Sequence, residues 1–291
     1  MTLPHGSCDC HTHVFLDAQA FPFWPSRRYT PPPATIEALA QRLDALGLER
    51  VVIVQPSVYG PDNAATLQAL RVLGPGRARG VAVIEDDVTD AALNGLHAAG
   101  VRGVRVNLEV DGASDPAPAA AAMRRTAERV APWGWHVQVY ASMPLLAACS
   151  ATLGALPVPV VLDHFAGARA GQGAQQEGLG PVLKLVESGK AYVKLSAPYR
   201  CATRDGYTDI DPLAALFIQA NPQRMVWGSD WPHPRPGSQP LATDISQPFD
   251  IDAVQVLAQL RRWAGDDAML KTILADNPQR LYDFKHVTST D

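Results

Sequence analysis

The sequence predicts an α/β fold of the (β/α)8, or TIM-barrel, type, and two patterns support this. Short runs of β-branched and apolar residues alternate with Ala- and Leu-rich stretches at helical spacing, which is typical of parallel β-α units. Eight such runs fit within 291 residues, a length that an eight-unit barrel commonly takes. We therefore expect strands within residues 8–15, 50–57, 78–85, 101–108, 135–141, 158–165, 191–197 and 224–230.

The stretches between these runs carry signals that begin and end helices. The segment TIEALAQRLDALG starts with Thr35, whose hydroxyl can accept a hydrogen bond at a helix N-terminus. The helix before the third strand is expected to stop at Gly74 and Pro75, because glycine readily leaves the helical conformation and proline cannot continue it. Most of the other helical stretches also end in Gly or Asn-Pro.

Two long Pro-rich segments do not fit the repeating unit. Residues 21–35 follow the first strand, and residues 232–250 follow the eighth. Long loops on a rigid scaffold often serve function, so both are candidates for functional loops. No linker divides the sequence, and residues 1–291 are therefore predicted to form one domain.

Composition and charge exclude several classes of protein. Hydrophobic residues make up 47% and charged residues 19%, so the chain can bury a sizeable core. The net charge is −4 and no basic run is interleaved with aromatics, so nucleic acid is not an expected partner. No apolar run approaches membrane-spanning length, and the N-terminus lacks the pattern of a secretory signal. We expect a reduced, cytoplasmic chain that is a monomer or small homo-oligomer.

The motif DCHTHVF places polar side chains on the first strand. If the strand alternates strictly, Asp9, His11 and His13 leave one face, whereas Cys8 and Cys10 point the other way, against the helices. Two neutral imidazoles on one face can hold a metal ion or a water molecule. Taken alone, the motif is equally compatible with a polar strand end that makes ordinary hydrogen bonds.

The ends of the other strands add further polar residues. In barrels of this type the active site lies at the C-terminal ends of the strands. Strand six ends at His164 and strand eight at Asp230, so both are expected to meet His11 and His13. Polar groups collected at one rim from three strands favour a catalytic site over packing. The same rim is expected to hold Gln55, Ser57, Arg105, Asn107, Tyr140, Ser196, Tyr199 and Arg200.

These motifs together resemble the amidohydrolase superfamily. The ordered set is DCHTHVF on strand one, DHF on strand six, WGSDWPH on strand eight and NPQRLYDF near the end. Further segments, among them VIVQPSVYGPDN, GVRGVRVN and VKLSAPYR, extend the similarity over nearly the whole chain. More narrowly, the chain is similar to the amidohydrolase-related lactonases and decarboxylases. The resemblance implies a barrel of the amidohydrolase type.

The resemblance to the lactonases implies roles for the rim residues. Asp230 would be the general base for a water that attacks a lactone carbonyl, and His11, His13 and His164 would hold that water and the carbonyl. The substrate would be a small carboxylated lactone, such as a pyrone dicarboxylate or a muconolactone. The residues matching substrate-binding positions are Tyr29, Ser57, Arg105, Tyr140 and Arg200.

The same resemblance argues against a two-metal site. Binuclear members carry Lys or Glu at the end of strand four and His at the end of strand five. Here strand four offers Arg105 and Asn107, strand five offers Tyr140, and His136 lies too deep at the beginning of that strand. No cofactor is expected to be required. If a single divalent metal such as zinc binds, its expected ligands are His11, His13, His164 and Asp230.

Two departures from the lactonase pattern bear on the substrate. The lactonases carry an arginine close behind the strand-six histidine, where this chain has Gly167, with Arg169 further on. Residues 108–116 contain no basic residue, although the lactonases have another carboxylate-binding arginine there. We therefore expect a substrate with fewer carboxylates, or one with a different anion such as a sulfonate.

The sequence alone leaves other functions, and other roles for two residues, open. A zinc-dependent decarboxylase of the same superfamily would act on a small aromatic or enoic acid and would need a metal at the histidine and aspartate set. A non-catalytic binding barrel is a third reading, and the presence of Asp230 with three histidines argues against it. Lys194 is either an ion-paired core lysine or a Schiff-base former, and His233 belongs either to the loop or to the site.

Overall fold

The computed structural model describes residues 2–109 and 112–285. Eight parallel strands form one sheet in sequence order, which confirms the predicted (β/α)8 barrel. The first and last strands are joined near their C-terminal ends, where the His11 carbonyl accepts the Asp230 N–H at 2.8 Å and the Trp231 carbonyl accepts the His13 N–H at 2.8 Å. The strands are β1 (Cys8–Thr12), β2 (Arg50–Val54), β3 (Ala78–Ala82), β4 (Val101–Asn107), β5 (His136–Tyr140), β6 (Val160–Leu162), β7 (Ala191–Ser196) and β8 (Met225–Gly228).

Helices connect successive strands and cover the outer face of the sheet. The hydroxyl of Thr35 caps the first helix by accepting the Ala38 N–H at 3.2 Å, and the second helix stops before Gly74, as predicted. No helix in the described ranges is both long and apolar enough to cross a bilayer. The α-helices are α1 (Ile36–Leu46), α2 (Ala64–Leu73), α3 (Asp90–Ala98), α4 (Pro116–Val130), α5 (Met143–Ala148), α6 (Ser150–Ala155), α7 (Leu179–Glu187), α8 (Pro198–Cys201), α9 (Asp211–Ala220), α10 (Ala253–Ala264), α11 (Asp267–Lys271) and α12 (Asn277–Leu281).

The apolar core has two layers that follow the alternation of the strands. One face of the strands packs against the helices, as Val51 and Ile53 do with Leu39 and Leu43. The other face fills the barrel interior, where the bulky Tyr282 joins the strand residues. Side chains fill the barrel interior, so it is not a pore. A ligand site is therefore expected at the C-terminal ends of the strands. The inner layer comprises Cys8, Cys10, Val52, Val54, Val81, Val161, Tyr192, Val226, Tyr282 and Phe284.

The cysteines of β1 correct one expectation. Cys8 and Cys10 do not face the helices but lie fully buried in the inner layer. The pairing of β1 with β2 shifts register between Asp9 and Thr12, and such a shift breaks strict side-chain alternation. As a result, the side chains of two successive residues, Cys10 and His11, both face the barrel interior.

The two long loops pair with each other across the mouth of the barrel. The Thr30 carbonyl accepts the Ser246 N–H at 2.8 Å, and the Thr30 hydroxyl donates to the Ala242 carbonyl at 2.7 Å. The loops therefore support one another above the C-terminal ends of β1 and β8.

Candidate active site

A cavity of about 670 Å³ opens at the C-terminal ends of the strands. Both long loops contribute to its wall, through Arg28 and Tyr29 from one loop and Pro234, Pro236 and Gly237 from the other. The structure therefore places the two loops at the candidate site. Eight of the nine predicted site residues line this cavity, namely His13, Tyr29, Ser57, Arg105, Tyr140, His164, Arg200 and Asp230.

Asp230 lies just beyond β8 in a left-handed turn, with φ of 62°. Its Oδ2 accepts the Tyr199 hydroxyl at 2.7 Å and the Arg200 Nε–H at 2.8 Å. Burial alone would raise the pKa of this carboxyl, but the Arg200 guanidinium and the neighbouring histidines together hold the pKa well below its usual range. Asp230 is therefore ionised at neutral pH, and its Oδ1 is directed towards His11 and His13, 3.6 Å from the Nε2 atom of each.

His13 has a defined proton position. Its Nδ1 lies 2.7 Å from the carbonyl oxygen of Val54. A carbonyl oxygen only accepts hydrogen bonds, so Nδ1 carries a proton, and when the ring is neutral its lone pair is on Nε2. That lone pair faces Asp230 at the cavity wall.

His11 is the one predicted site residue that lies behind the cavity wall. It is fully buried, and its Nδ1 lies 3.2 Å from Lys194 Nζ and 3.3 Å from Asp163 Oδ1. Its Nε2 has no hydrogen-bond partner among the described residues and lies near Asp230. Burial and the neighbouring Lys194 charge hold the pKa of His11 well below its usual range, so the ring is neutral.

His164 reaches the cavity from a strained turn. The residues His164, Phe165 and Ala166 all have positive φ, between 48° and 54°, a conformation that non-glycine residues adopt rarely. The turn directs the ring inward, where Nδ1 lies 2.9 Å from the Ser196 hydroxyl and the edge of Tyr140 packs against it. Burial lowers the pKa of His164 to about 4, so this ring is neutral as well.

Asp163 belongs to the site and was missed from the sequence. Its carboxylate is fully buried, with Oδ2 accepting the Gln138 Nε2–H at 3.0 Å and lying 3.4 Å from Arg105, while Oδ1 lies 3.4 Å from Lys194. Strict alternation assigns Asp163 and His164 to opposite faces. Because β6 ends at Leu162 and a left-handed turn follows, both side chains instead face inward.

The arginines of the cavity are directed by their partners. Arg105 lies between Asp163 and the ring of Tyr140, 5.6 Å from the ring centroid, and Arg200 is held by Asp230 and by the Pro234 carbonyl. Arg28 also lines the cavity but did not stand out in the sequence, because a loop has no periodicity that predicts which side chain turns inward.

Arg169 does not line the main cavity but a small neighbouring one of about 20 Å³, which it shares with Tyr140 and His164. It donates to the Arg200 carbonyl at 2.6 Å. Position 167 has no room for a side chain, because a Cβ there would lie 2.7 Å from the Ala141 carbonyl oxygen. On this side the cavity wall therefore lacks an arginine where the lactonase pattern has one.

Three other residues singled out in the sequence lie around the site. Lys194 is fully buried and ion-paired with Asp163 rather than exposed to the cavity. His233 packs behind Asp230, with Nδ1 3.5 Å from the Tyr199 hydroxyl. His136 lies at the start of β5 against Tyr282, below the site.

The donor atoms of His11, His164 and Asp230 lie within 4.8 Å of one another, so by distance alone the set fits one metal ion. The hydrogen-bond partners do not fit such a role. A metal-binding imidazole normally donates its distal N–H to an acceptor, but at the distal nitrogen of His11 the ammonium of Lys194, at 3.2 Å, competes with the acceptor Asp163 Oδ1, at 3.3 Å. Asp230 is also already paired with Arg200. Lys194 and Arg200 therefore oppose metal binding at a set of residues whose distances permit it.

An eight-stranded barrel that brings three histidines and an aspartate from its first, sixth and eighth strands to one cavity has the site arrangement of an amidohydrolase. A family model described as Amidohydrolase matches residues 8–284, and the chain belongs to this family. The resemblance seen in the sequence motifs is thereby confirmed.

Relatives that match most of the length of this chain are found at moderate sequence identity. The chain is 36% identical over 290 residues to a 2-pyrone-4,6-dicarboxylate hydrolase of Comamonas testosteroni, covering 96% of this chain and 91% of the relative. It is 30% identical over 286 residues to a 4-sulfomuconolactone hydrolase of Hydrogenophaga intermedia, covering 96% and 89%. A crystal structure from Acinetobacter baumannii, described as a probable 2-pyrone-4,6-dicarboxylic acid hydrolase with citric acid bound, superposes with a TM-score of 0.81 at 27% identity, covering 96% and 100%.

The buried histidines make folding stability depend on pH. Burial lowers the pKa of His136 to about 3, whereas an exposed histidine in the unfolded chain titrates near ~6.5. Below pH ~6.5 the unfolded chain binds a proton that the folded chain does not, so the stability that is present above that pH is lost as the pH falls. The loss of stability continues until the pH reaches the pKa of His136 in the folded chain.

We expect His136→Gln to lose about 2 kcal/mol less free energy of unfolding between pH 7 and pH 5 than the parent chain. Urea unfolding at the two pH values measures the difference, and groups that titrate alike in both chains cancel. His5→Gln, at an exposed position, is the matched control and should behave like the parent. An equal loss in the parent and in His136→Gln would show that His136 titrates normally in the folded chain.

Proposed function

We propose that this protein is a hydrolase that opens a small anionic lactone through a water molecule activated by Asp230. The observation that carries the proposal is the position of Asp230 Oδ1, which lies 3.6 Å from the Nε2 atoms of both His11 and His13 beside the cavity. An ionised carboxylate there can take a proton from a water bound between these groups. The names of the relatives, hydrolases of a pyrone dicarboxylate and of a sulfonated muconolactone, support the lactone class.

In the proposed reaction the water first loses a proton to Asp230 as its oxygen bonds to the lactone carbonyl carbon. The lone pair of His13 Nε2 accepts the water's other O–H and so orients the water. The neutral ring of His164 faces the carbonyl oxygen, which becomes an oxyanion in the tetrahedral intermediate. When the ring C–O bond breaks, the proton on Asp230 passes to the leaving oxygen, which restores the carboxylate.

The cavity wall supplies the groups that would hold the acid substituents of the lactone. The guanidinium forks of Arg105 and Arg200 suit carboxylate or sulfonate oxygens, since two parallel N–H donors match two acceptors. Tyr29 and Ser57 add hydroxyls on the β1 and β2 side, and Tyr140 adds one on the β5 side. Because Arg169 does not line this cavity, the proposed substrate carries fewer acid groups than a wall with that arginine would bind.

The zinc-dependent decarboxylase is not favoured. The relatives described above are named as hydrolases, and the partners of His11 and Asp230 do not suit a resident metal. A lactone carbonyl is an activated ester, so a carboxylate base with imidazole donors suffices to open it. We therefore propose that the reaction requires no metal ion.

Asp230→Asn tests the assigned base. The amide keeps the shape of the side chain but cannot accept the proton, so we expect kcat on a muconolactone or pyrone dicarboxylate to fall by about 10²–10⁴-fold. Asp244→Asn, on the exposed part of a long loop, is the matched control. Near-parental turnover by a folded Asp230→Asn chain, with folding checked by circular dichroism, would remove Asp230 from this role.

Arg105→Met tests the proposed anion contact. Loss of a charge-assisted hydrogen bond costs about 1.5–3 kcal/mol, which corresponds to a rise in KM of roughly ten- to a hundred-fold. Arg102→Met provides the control on the same strand, because Arg102 turns outwards and pairs with Asp283 at 3.2 Å. If KM for a carboxylated lactone rose equally in both variants, Arg105 would not be a substrate contact.

Chelation tests the proposed independence from metal. We expect full lactonase activity after exhaustive dialysis against EDTA, with metal analysis showing less than one equivalent per chain. The control is a known zinc hydrolase treated alongside, which should lose activity. Activity that disappears on chelation and returns with zinc alone would support a metal held by His11, His13, His164 and Asp230.

A further inference from the structure

The Nδ1 atoms of the two histidines in the His-x-His motif face different partners, one a hydrogen-bond acceptor and the other a donor. His13 Nδ1 faces an acceptor, the Val54 carbonyl oxygen at 2.7 Å. His11 Nδ1 faces Lys194 Nζ at 3.2 Å. A lysine ammonium has only protons to donate, so a hydrogen bond between them uses the lone pair of His11 Nδ1 and leaves the ring proton on Nε2. The two neutral rings then carry their protons on opposite nitrogens.

The surroundings of Lys194 hold it in the donor role. Its Nζ donates to Gln138 Oε1 at 2.7 Å, and the orientation of this amide is defined because Gln138 Nε2 donates to Asp163 Oδ2 at 3.0 Å. Burial lowers the pKa of Lys194, but the Asp163 carboxylate, with Oδ1 3.4 Å away, stabilises the charged form. The side chain is fully buried, so water does not compete for these contacts.

A competing acceptor lies at the same ring nitrogen. Asp163 Oδ1 is 3.3 Å from His11 Nδ1, and this oxygen has no hydrogen-bond partner in the described part of the chain. If Lys194 were absent, Asp163 would be the remaining partner of Nδ1, and a carboxylate requires the proton to be on that nitrogen. The tautomer of His11 therefore depends on which of the two buried groups it bonds to.

We propose that Lys194 is a positioning residue that fixes His11 as the Nε2–H tautomer, so that the motif presents one hydrogen-bond donor and one acceptor beside Asp230. The donor on His11 faces the Asp230 carboxylate and can hold it in place, while the acceptor on His13 orients the water. Metal binding through both Nε2 atoms would require a lone pair on each, and Lys194 opposes this. The consequence for turnover rests on the proposed function, whereas the tautomer does not.

The tautomer can be read directly by nuclear magnetic resonance. In protein with ¹⁵N-labelled histidine, long-range ¹H–¹⁵N correlations distinguish a neutral Nε2–H ring from an Nδ1–H ring, and the His11→Gln spectrum assigns the signals. We expect Nε2–H for His11 in the parent chain, Nδ1–H in Lys194→Met, and Nε2–H in Asp163→Asn, where Lys194 remains. Lys184→Met, on the exposed face of α7, is the matched control and should match the parent.

Two further readouts separate positioning from a structural role. Zinc analysis after equilibration with ZnCl₂ and dialysis should show Lys194→Met approaching about one zinc per chain, while the parent stays well below that, because the variant exposes a second Nε2 lone pair. With a lactone substrate, Lys194→Met should lose about 100-fold in kcat with little change in KM, as expected when the base is misplaced while the substrate contacts are kept.

Several outcomes would overturn the proposal. If His11 in the parent chain is an Nδ1–H tautomer or is doubly protonated, the proposal is wrong, and this measurement does not depend on whether Lys194→Met folds. An unchanged Nε2–H tautomer in a folded Lys194→Met chain removes the positioning role. The proton and zinc measurements need no substrate, so the expected tautomers in a chain without lactonase activity would count against the proposed function alone.

Discussion

The buried carboxylate of Asp163 is the charge around which the upper barrel is arranged. A carboxylate without water is costly unless charged and hydrogen-bonding groups surround it, and breaking such a buried set leaves an uncompensated charge. Lys194, Arg105 and Gln138 meet this requirement from three different strands, and His11 approaches from a fourth. These contacts form a polar layer between the apolar barrel interior and the cavity, and they fix the side chains that the site needs.

The sequence predicted the strands and the rim better than it predicted the directions of individual side chains. All eight strands lie within the expected segments, because each combines β-branched residues with a clear boundary. Alternation failed where the backbone departs from a regular strand. The register shift in β1 turned His11 inward directly after the inward Cys10, and the left-handed turn after β6 brought Asp163 and His164 to the same face. Neither feature follows from periodicity, since both depend on pairing with neighbouring strands.

The charge distribution of the cavity sets the proposed substrate class. Arg28, Arg105 and Arg200 line its wall, and Glu109, from the segment 108–116 that has no basic residue, lines it too. A carboxylate at that position repels an acid group on the substrate, just as the arginines attract one. This distribution supports the proposed substrate, a lactone with fewer acid groups than a wall of arginines alone would bind. It also agrees with the loss of two arginines from the lactonase pattern.

The strength of Asp230 as a base also bears on the reaction that the site can support. Arg200 and the neighbouring histidines hold the pKa of this carboxyl well below its usual range, and a carboxylate of low pKa is a weak base. Base strength is thus not the main contribution of the site. Its contribution is position, because Tyr199 and Arg200 occupy Oδ2 and leave Oδ1 directed at His11 and His13. A weak base that is ionised at neutral pH and correctly placed suits an activated ester such as a lactone, whereas a less reactive carbonyl would require stronger activation.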